Sequence, residues 1–255
     1  MKANINLLLI FFLCISFGLR SQNLPPIEIY TQHQYNAENQ NWGISQASNK
    51  YIYIANSKGL LEYNGADWRL YPSPNNTLMR SVKVVDDRVY TGCYMEFGYW
   101  EKNNFGELAY TSLSERLGVT FIEDEEFWNI FEVDGFLVFQ SLSRIYLYNT
   151  KTDSYETINS ETIIKKAFNV DGTIYFQKIN YGIYGIKNGE AYLVTSDITF
   201  KENEVVGIFG QQDNLLIQTR ELGFFKYENS KVSKWQAVSS KLLNEISVYN
   251  SIKLR

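Results

Sequence analysis

Aligned on the turn that follows each of them, Trp42, Arg80, Trp128, Lys166, Val206 and Tyr249 recur at a spacing of roughly forty residues. All but Val206 are aromatic or cationic. Indole and phenol faces stack on sugar rings, and cations make charge-assisted hydrogen bonds to anions, so the set suits a saccharide or an anionic small molecule. The same residue types beside an inner strand also serve packing between repeats, and that reading competes with binding at each position. Glu96, just before Phe97-Gly98, adds a carboxylate that either accepts ligand hydroxyls or stabilises its own turn through backbone amides.

Covalent and metal chemistry are poorly provided for. His33 is the only histidine, and it precedes the first repeat, where an exposed surface role is expected. Cys14 falls in the apolar leader and leaves Cys93 alone, so neither a disulfide nor an ordinary transition-metal site can be assembled. Glu123-Asp124-Glu125-Glu126 lacks the alternating Asp spacing of a calcium loop and reads as a solvated run. Asn75-Asn76-Thr77 matches a glycosylation acceptor, which is taken as accidental. We expect no catalytic residue, no metal and no cofactor. Two other classes stay open: a secreted propeller enzyme acting on polysaccharide through two carboxylates, whose separation sequence does not give, and a protein-interaction scaffold.

The elements that must position the six residues follow from a motif repeated five times. Apolar, alternating runs such as Tyr51–Ile54, Leu137–Phe139, Thr173–Phe176 and Leu215–Ile217 are strand signals. Tight turns are expected at Asn49, Asp87, Asp134-Gly135, Asp171-Gly172 and Asp213-Asn214, because Asn, Asp and Gly tolerate the positive φ of two-residue hairpins. A second series follows at Asn64-Gly65, Asn103-Asn104, Asn149-Thr150, Asn188-Gly189 and Glu228-Asn229. Two hairpins per repeat make four strands. Phe139-Gln140, Phe176-Gln177 and Ile217-Gln218 occupy matching places, and Gly59, Gly98, Gly182 and Gly223 each introduce a third strand. The fold class is therefore all-β, a β-propeller with blades near 41–77, 78–122, 123–160, 161–202 and 203–244 and a sixth beginning at Val248–Leu254. A sandwich does not demand this period. With five blades and a fragment, the ring at 41–255 is expected to be incomplete. Ile27–Tyr30, within the N-terminal segment 22–40, is a candidate ring-closing strand. Connections near 71–78, 112–126, 159–165 and 197–204 share one rim with the six positions, and loops on a rigid scaffold commonly carry binding residues.

Residues 1–21 read as a cleaved signal peptide: Lys2, an apolar run from Leu7 to Phe17, and Ser21 at the cleavage point. Leu13 before Cys14 argues against a lipoprotein. Removing the leader deletes Lys2 and Arg20 and leaves 22 basic residues, from the 24 present, against 28 acids, a net charge of −6. Such a surface repels nucleic acid, and no later run is long and apolar enough for a membrane helix.

The run Asn41-Trp42-Gly43-Ile44, Ala55-Asn56, Gly59-Leu60-Leu61-Glu62-Tyr63-Asn64-Gly65, Trp68, Arg80-Ser81, Gly92, Glu96-Phe97-Gly98-Tyr99 and Phe139-Gln140-Ser141 resembles the N-terminus of Bacteroidetes two-component-regulator-propeller, triple-tyrosine regulators, often of LuxR type. The resemblance covers nearly all of the mature chain and is densest between Asn41 and Tyr99. It implies a periplasmic sensor whose propeller is followed by a triple-tyrosine module, a membrane helix and a DNA-binding output domain. This sequence contains none of those later parts, so the resemblance is to a fragment. Expected partners are a small-molecule or glycan ligand and the remainder of the receptor or its dimer partner. Cys93-Tyr94-Met95 is bulkier than the small residues expected before Glu96-Phe97-Gly98-Tyr99.

Overall fold

The computed structural model describes residues 27–236 and 246–252. Contacts divide the chain after Thr31. Of the first unit, the described residues 27–31 form neither helix nor strand, so no ring-closing strand exists at Ile27–Tyr30. A strand needs a ladder partner, and each of the five sheets already has four strands of its own. The signal-peptide reading of 1–21 lies outside the described residues.

The described residues of the second unit, which begins at Gln32, hold twenty strands in five antiparallel meanders. Blade 1 comprises β1 (Asn41–Gln46), β2 (Ile52–Asn56), β3 (Gly59–Tyr63) and β4 (Trp68–Pro72). Blade 2 comprises β5 (Met79–Val85), β6 (Arg88–Cys93), β7 (Glu96–Lys102) and β8 (Leu108–Ser112). In blade 3 these are β9 (Asn129–Val133), β10 (Phe136–Gln140), β11 (Arg144–Asn149) and β12 (Ser154–Asn159). Blade 4 has β13 (Ala167–Val170), β14 (Thr173–Lys178), β15 (Gly182–Lys187) and β16 (Glu190–Thr195), and blade 5 has β17 (Val205–Gln211), β18 (Asn214–Thr219), β19 (Gly223–Glu228) and β20 (Lys231–Lys234). Among the described residues three short helices punctuate them: α1 (Gln32–Tyr35), α2 (Leu113–Arg116) and α3 (Ile198–Glu202). The last two interrupt connections expected to be plain loops. Ser112 and Asp197 cap them by accepting the N–H groups of Glu115 and Thr199, which is what short polar side chains do at a helix start. No helix among the described residues is long and apolar enough to cross a membrane.

The first strands β1, β5, β9, β13 and β17 pack each against the next, so they are the innermost strands of a propeller arc. Four apolar clusters fill the spaces between consecutive blades. Between blades 2 and 3, Phe97 is fully buried and stacks on Phe139 at 4.4 Å, with Phe127 edge-on at 4.9 Å. Each such ring contributes about 2 kcal/mol by leaving water. This explains how the described residues, whose one cysteine, Cys93, is free and buried, hold together.

The tight turns close at Asp86-Asp87, Asp134-Gly135, Asp171-Gly172 and Gln212-Asp213, with φ near +50° at the first residue of each. The turn expected at Asp87 therefore has that residue as its second member, and the one expected at Asp213-Asn214 falls one residue earlier. In the second series, Asn64, Asn103 and Asn149 accept the backbone N–H of Ala66, Phe105 and Lys151 through Oδ1, bending their own chain. Gly59 and Gly182 open third strands at φ +146° and +126°, where a Cβ would lie 2.2 Å from Tyr71 O and 2.1 Å from Thr195 O. Gly98 differs from the expectation by lying inside β7.

Of the expected sixth strand at Val248–Leu254, the described residues 248–252 form no strand. Residues 246–252 run beside blade 5, with the Val248 N–H donating to Arg220 O at 2.9 Å. With no second strand against it among the described residues, the segment makes single contacts rather than a ladder.

Candidate functional site

Three of the six expected residues converge. Trp42 and Arg80 each lie in a β-bulge at the start of an inner strand, between Asn41 and Gly43 and between Met79 and Ser81. Trp128 holds the equivalent place before β9, its N–H donating to Gln140 O at 2.8 Å. A bulge turns the extra side chain out of the ladder, and here all three meet at the end of the inner strands opposite the tight turns, the mouth of the arc. The Arg80 guanidinium lies 4.1 Å from the Trp42 ring and 4.7 Å from the Trp128 ring. The indoles of Trp42 and Trp128 touch edge-to-face at 5.9 Å, bridging blades 1 and 3 across blade 2. Trp42 Nε1 donates to Ser57 Oγ at 3.0 Å, whereas Trp128 Nε1 is buried without a partner among the described residues.

Arg80 is also charge-matched. Its Nε and Nη2 donate to Glu126 Oε1 at 3.2 and 3.0 Å, and only 11% of its side chain is exposed. Glu126 is held in place by its neighbour. The Glu125 carboxylate is buried and accepts Ser141 Oγ–H at 2.6 Å, Tyr146 O–H at 2.8 Å and the Ile122 N–H at 3.3 Å, while Glu125 O accepts the Met95 N–H at 2.7 Å. Burial, and the carboxylate it donates to, hold the Tyr146 phenol well above its ordinary pKa. The acidic run is therefore not simply a solvated loop. Glu123 and Asp124 face solvent, but Asp124, at φ +58°, turns the chain so that Glu125 and Glu126 point inward. A charge run carries no periodicity to announce this. Among the described residues no group of three or more His, Cys, Asp or Glu could hold a metal.

The same cation and carboxylate stations recur two blades on. The ladders pair Ile130 with Phe139 and Ala167 with Phe176, so Lys165 is level with Trp128 and Lys166 sits one place further along. Lys165 Nζ donates to Glu204 Oε2 at 2.7 Å, and Arg220 Nη1 reaches the same oxygen at 2.9 Å. Burial alone would raise the Glu204 pKa, but these two bonds outweigh it and leave the carboxyl below its ordinary range. Lys166 Nζ donates instead to Asn250 Oδ1 at 2.5 Å and lies 5.5 Å from the Phe168 ring. Val206 occupies the bulge of blade 5 and is buried. Val248 donates to Arg220 O as Ile164 donates to Leu142 O, so Tyr249 is level with Lys165. Its exposed ring lies 4.2 Å from the Arg220 guanidinium.

Glu96 does not bond backbone amides. Its Oε1 accepts the hydroxyls of Tyr110 and Ser112 at 2.8 and 2.9 Å, and its Oε2 that of Ser114 at 2.9 Å, which ties β7 to β8 and α2. Burial and this carboxylate push the Tyr110 phenol far up. His33 is exposed on α1. Cys93 is buried, its thiol pushed up to about 12 chiefly by burial. Asn75 is occupied by its own turn, donating to Tyr94 O and accepting from Thr77.

Four grooves lie between consecutive blades on the tight-turn rim, opposite the mouth. The one between blades 3 and 4, about 440 Å³, has an apolar floor of Val133, Phe136, Val138, Leu147, Ile174 and Ile186. A fifth flanks blade 1 on the mouth side, lined by Glu38, Leu70, Pro72 and Leu78 among others. None of the five is lined by the converging residues.

No protein-family profile matches the chain, and no curated protein matches it either. Solved structures do. Virginiamycin B lyase from Staphylococcus aureus is 16% identical with a TM-score of 0.57, over 78% of this chain and 72% of that one. The extracellular domain of a hybrid two-component system from B. thetaiotaomicron is 13% identical with a TM-score of 0.57, over 81% of this chain but 31% of its own. The WD40 β-propeller domain of Doa1 is 10% identical with a TM-score of 0.56, over 75% of this chain and 67% of that one. The chain spans under a third of the extracellular domain of the two-component system it matches, and these likenesses establish the β-propeller fold.

Proposed function

We propose that this chain is the ligand-sensing propeller region of an exported, periplasmic regulator, and that its ligand is a saccharide seated at the channel mouth. The observation that carries the reading is the convergence of Trp42, Arg80 and Trp128 from three separate blades, with Glu126 completing the group. Indole faces stack on the C–H faces of a sugar ring, while a guanidinium and a carboxylate side by side give one hydroxyl a donor and its neighbour an acceptor. Because Glu126 already neutralises Arg80, this end of the mouth suits hydroxyls better than a free anion. The reading assigns no catalytic group to the chain. It places signalling in the remainder of a longer receptor or its dimer partner, and it is supported by the likeness in fold to the extracellular domain of a two-component system and by the resemblance of Asn41–Tyr99 to periplasmic propeller regulators. The propeller itself contacts no nucleic acid.

The test is calorimetric titration of the protein with a panel of neutral oligosaccharides. Trp42→Ala and Glu126→Gln should each weaken binding roughly tenfold, while Trp42→Phe, which keeps a stacking face, should retain most of it. Affinity unchanged in both Trp42→Ala and Arg80→Ala would remove the site.

A further inference from the structure

We propose that the channel mouth prefers saccharides bearing a carboxylate or sulfate, and that Lys166, rather than Arg80, Lys165 or Arg220, reads the acid. The inference rests on the saccharide-binding reading above and adds the charge of the ligand.

The argument is one of charge matching. Arg80 has Glu126 at 3.0 Å, Lys165 has Glu204 at 2.7 Å, and Arg220 shares Glu204 at 2.9 Å. Lys166 alone of the four has no carboxylate against it among the described residues. Its partners are a neutral amide oxygen, Asn250 Oδ1, and the Phe168 ring. The register shows why this ammonium stands apart. The residues level with Lys166 in the other units are Gly43, Ser81, Asn129, Gly207 and Asn250, all small or uncharged. Lys166 brings the only formal charge to this layer. Gly207 lies between the stations of Lys166 and Asn250, packed so closely that a Cβ there would lie 2.4 Å from Ser251 Oγ, a hydroxyl that is buried without a partner among the described residues.

Burial lowers the Lys166 pKa below the ordinary lysine range, as expected of a half-buried cation with no counter-charge. An incoming carboxylate or sulfate supplies that counter-charge, and a partly desolvated ammonium gains more from it than an exposed one. Trp128 and Lys166 introduce neighbouring inner strands that pack together, so a ring stacked at Trp128 can extend its substituent toward Lys166. Arg80 and Arg220 would first have to release their carboxylates.

The experiment compares galactan, galacturonan and sulfated galactan oligosaccharides of one length, titrated into the wild type and Lys166→Met at low salt. Acidic chains should bind the wild type about tenfold more tightly than the neutral chain, and Lys166→Met should erase that margin while leaving neutral binding in place. The two acidic arms show which anion is preferred. An absent margin, or one that survives Lys166→Met, overturns the inference. A second measurement does not depend on oligosaccharide binding: lysine amines are ¹³C-methylated and followed by NMR during addition of galacturonate, with the Lys166 resonance assigned by Lys166→Arg. Movement of that resonance ahead of the other lysines supports the inference even if no oligosaccharide binds, an outcome that would refute only the saccharide reading. A Lys166 resonance that does not move overturns the inference.

Discussion

Gln177→Leu should destabilise the protein far more than Gln218→Leu, although the two glutamines hold the same register position in adjacent blades. Gln177 Nε2 donates to Phe200 O and to Asn203 O, both at 2.7 Å, and its Oε1 accepts the Val205 N–H at 2.9 Å. One amide thus closes the connection between blades 4 and 5 and anchors the first residue of β17. Leucine keeps the volume but strands three backbone groups at a buried site. A net loss of about 1 kcal/mol per hydrogen bond sets the floor, and the penalty for stranded buried groups raises the sum to about 3–5 kcal/mol. At this chain length that is a fall of roughly 10 °C in Tm. Gln218 is almost fully buried, and its Oε1 has no partner among the described residues. Removing an unsatisfied carbonyl returns a desolvation cost, so Gln218→Leu should cost about 1 kcal/mol or less. Urea unfolding at neutral pH, followed by far-UV circular dichroism, gives both values. If the two variants fall within about 1 kcal/mol of each other, the clasp is not what holds blades 4 and 5 together.

The Arg80–Glu126 pair is partly buried, so its coupling in an Arg80→Met, Glu126→Gln double-mutant cycle should lie between the surface and buried cases, at about 2 kcal/mol; a coupling near zero would show that Arg80 is held by the indoles alone. Glu204 has a lowered pKa in the folded state, so its contribution is present above the ordinary glutamate range and is lost as pH falls through the folded value. Glu204→Gln should therefore be less stable than wild type at pH 7 and equal to it near pH 3, as read by urea midpoints at each pH; a deficit that persists in acid would contradict the assignment. Cys93, buried and with its thiol pushed up to about 12, should resist a thiol reagent at pH 8 until urea unfolds the protein, and rapid labelling of the native chain would refute its placement.

The architecture was legible because turn chemistry and strand alternation are local. Asp134-Gly135 and Asn188-Gly189 announce their hairpins, and the forty-residue period then orders the blades. The convergence of Trp42, Arg80 and Trp128 was legible for the same reason, since the residue six places before a tight turn occupies the bulge of blades 1 and 2 and the equivalent place before β9. Counting failed in blade 4, where Lys166 stands five places before Asp171 while Trp128 stands six before Asp134. The ladder pairing Ala167 with Phe176 reveals the slip of one residue. Glu125, Glu126 and the hydroxyl cage of Glu96 escaped sequence reading because their partners come from distant strands, and α2 and α3 because a helix of four or five residues has no period to detect.

One further regularity becomes visible only after the register is fixed, and it explains why the mouth divides into neutral and charged stations. Each bulge residue can be set beside the residue two places before the bulge of the next blade, giving Trp42 with Leu78, Arg80 with Glu126, Trp128 with Ile163 and Lys165 with Glu204. Aromatic residues are set against aliphatic ones and cations against carboxylates, in alternation. Both ion pairs are formed, at 3.0 and 2.7 Å. A blade interface that pairs its own charges in this way can hydrogen-bond neutral hydroxyls but cannot also neutralise a charged ligand without breaking a contact between blades. Recognition of charge then falls to a side chain outside the alternating pairs. Lys166 lies one residue beyond its pair, among glycine, serine and asparagine neighbours, and with only the neutral Asn250 Oδ1 and the Phe168 ring against it can meet an anion without breaking an ion pair.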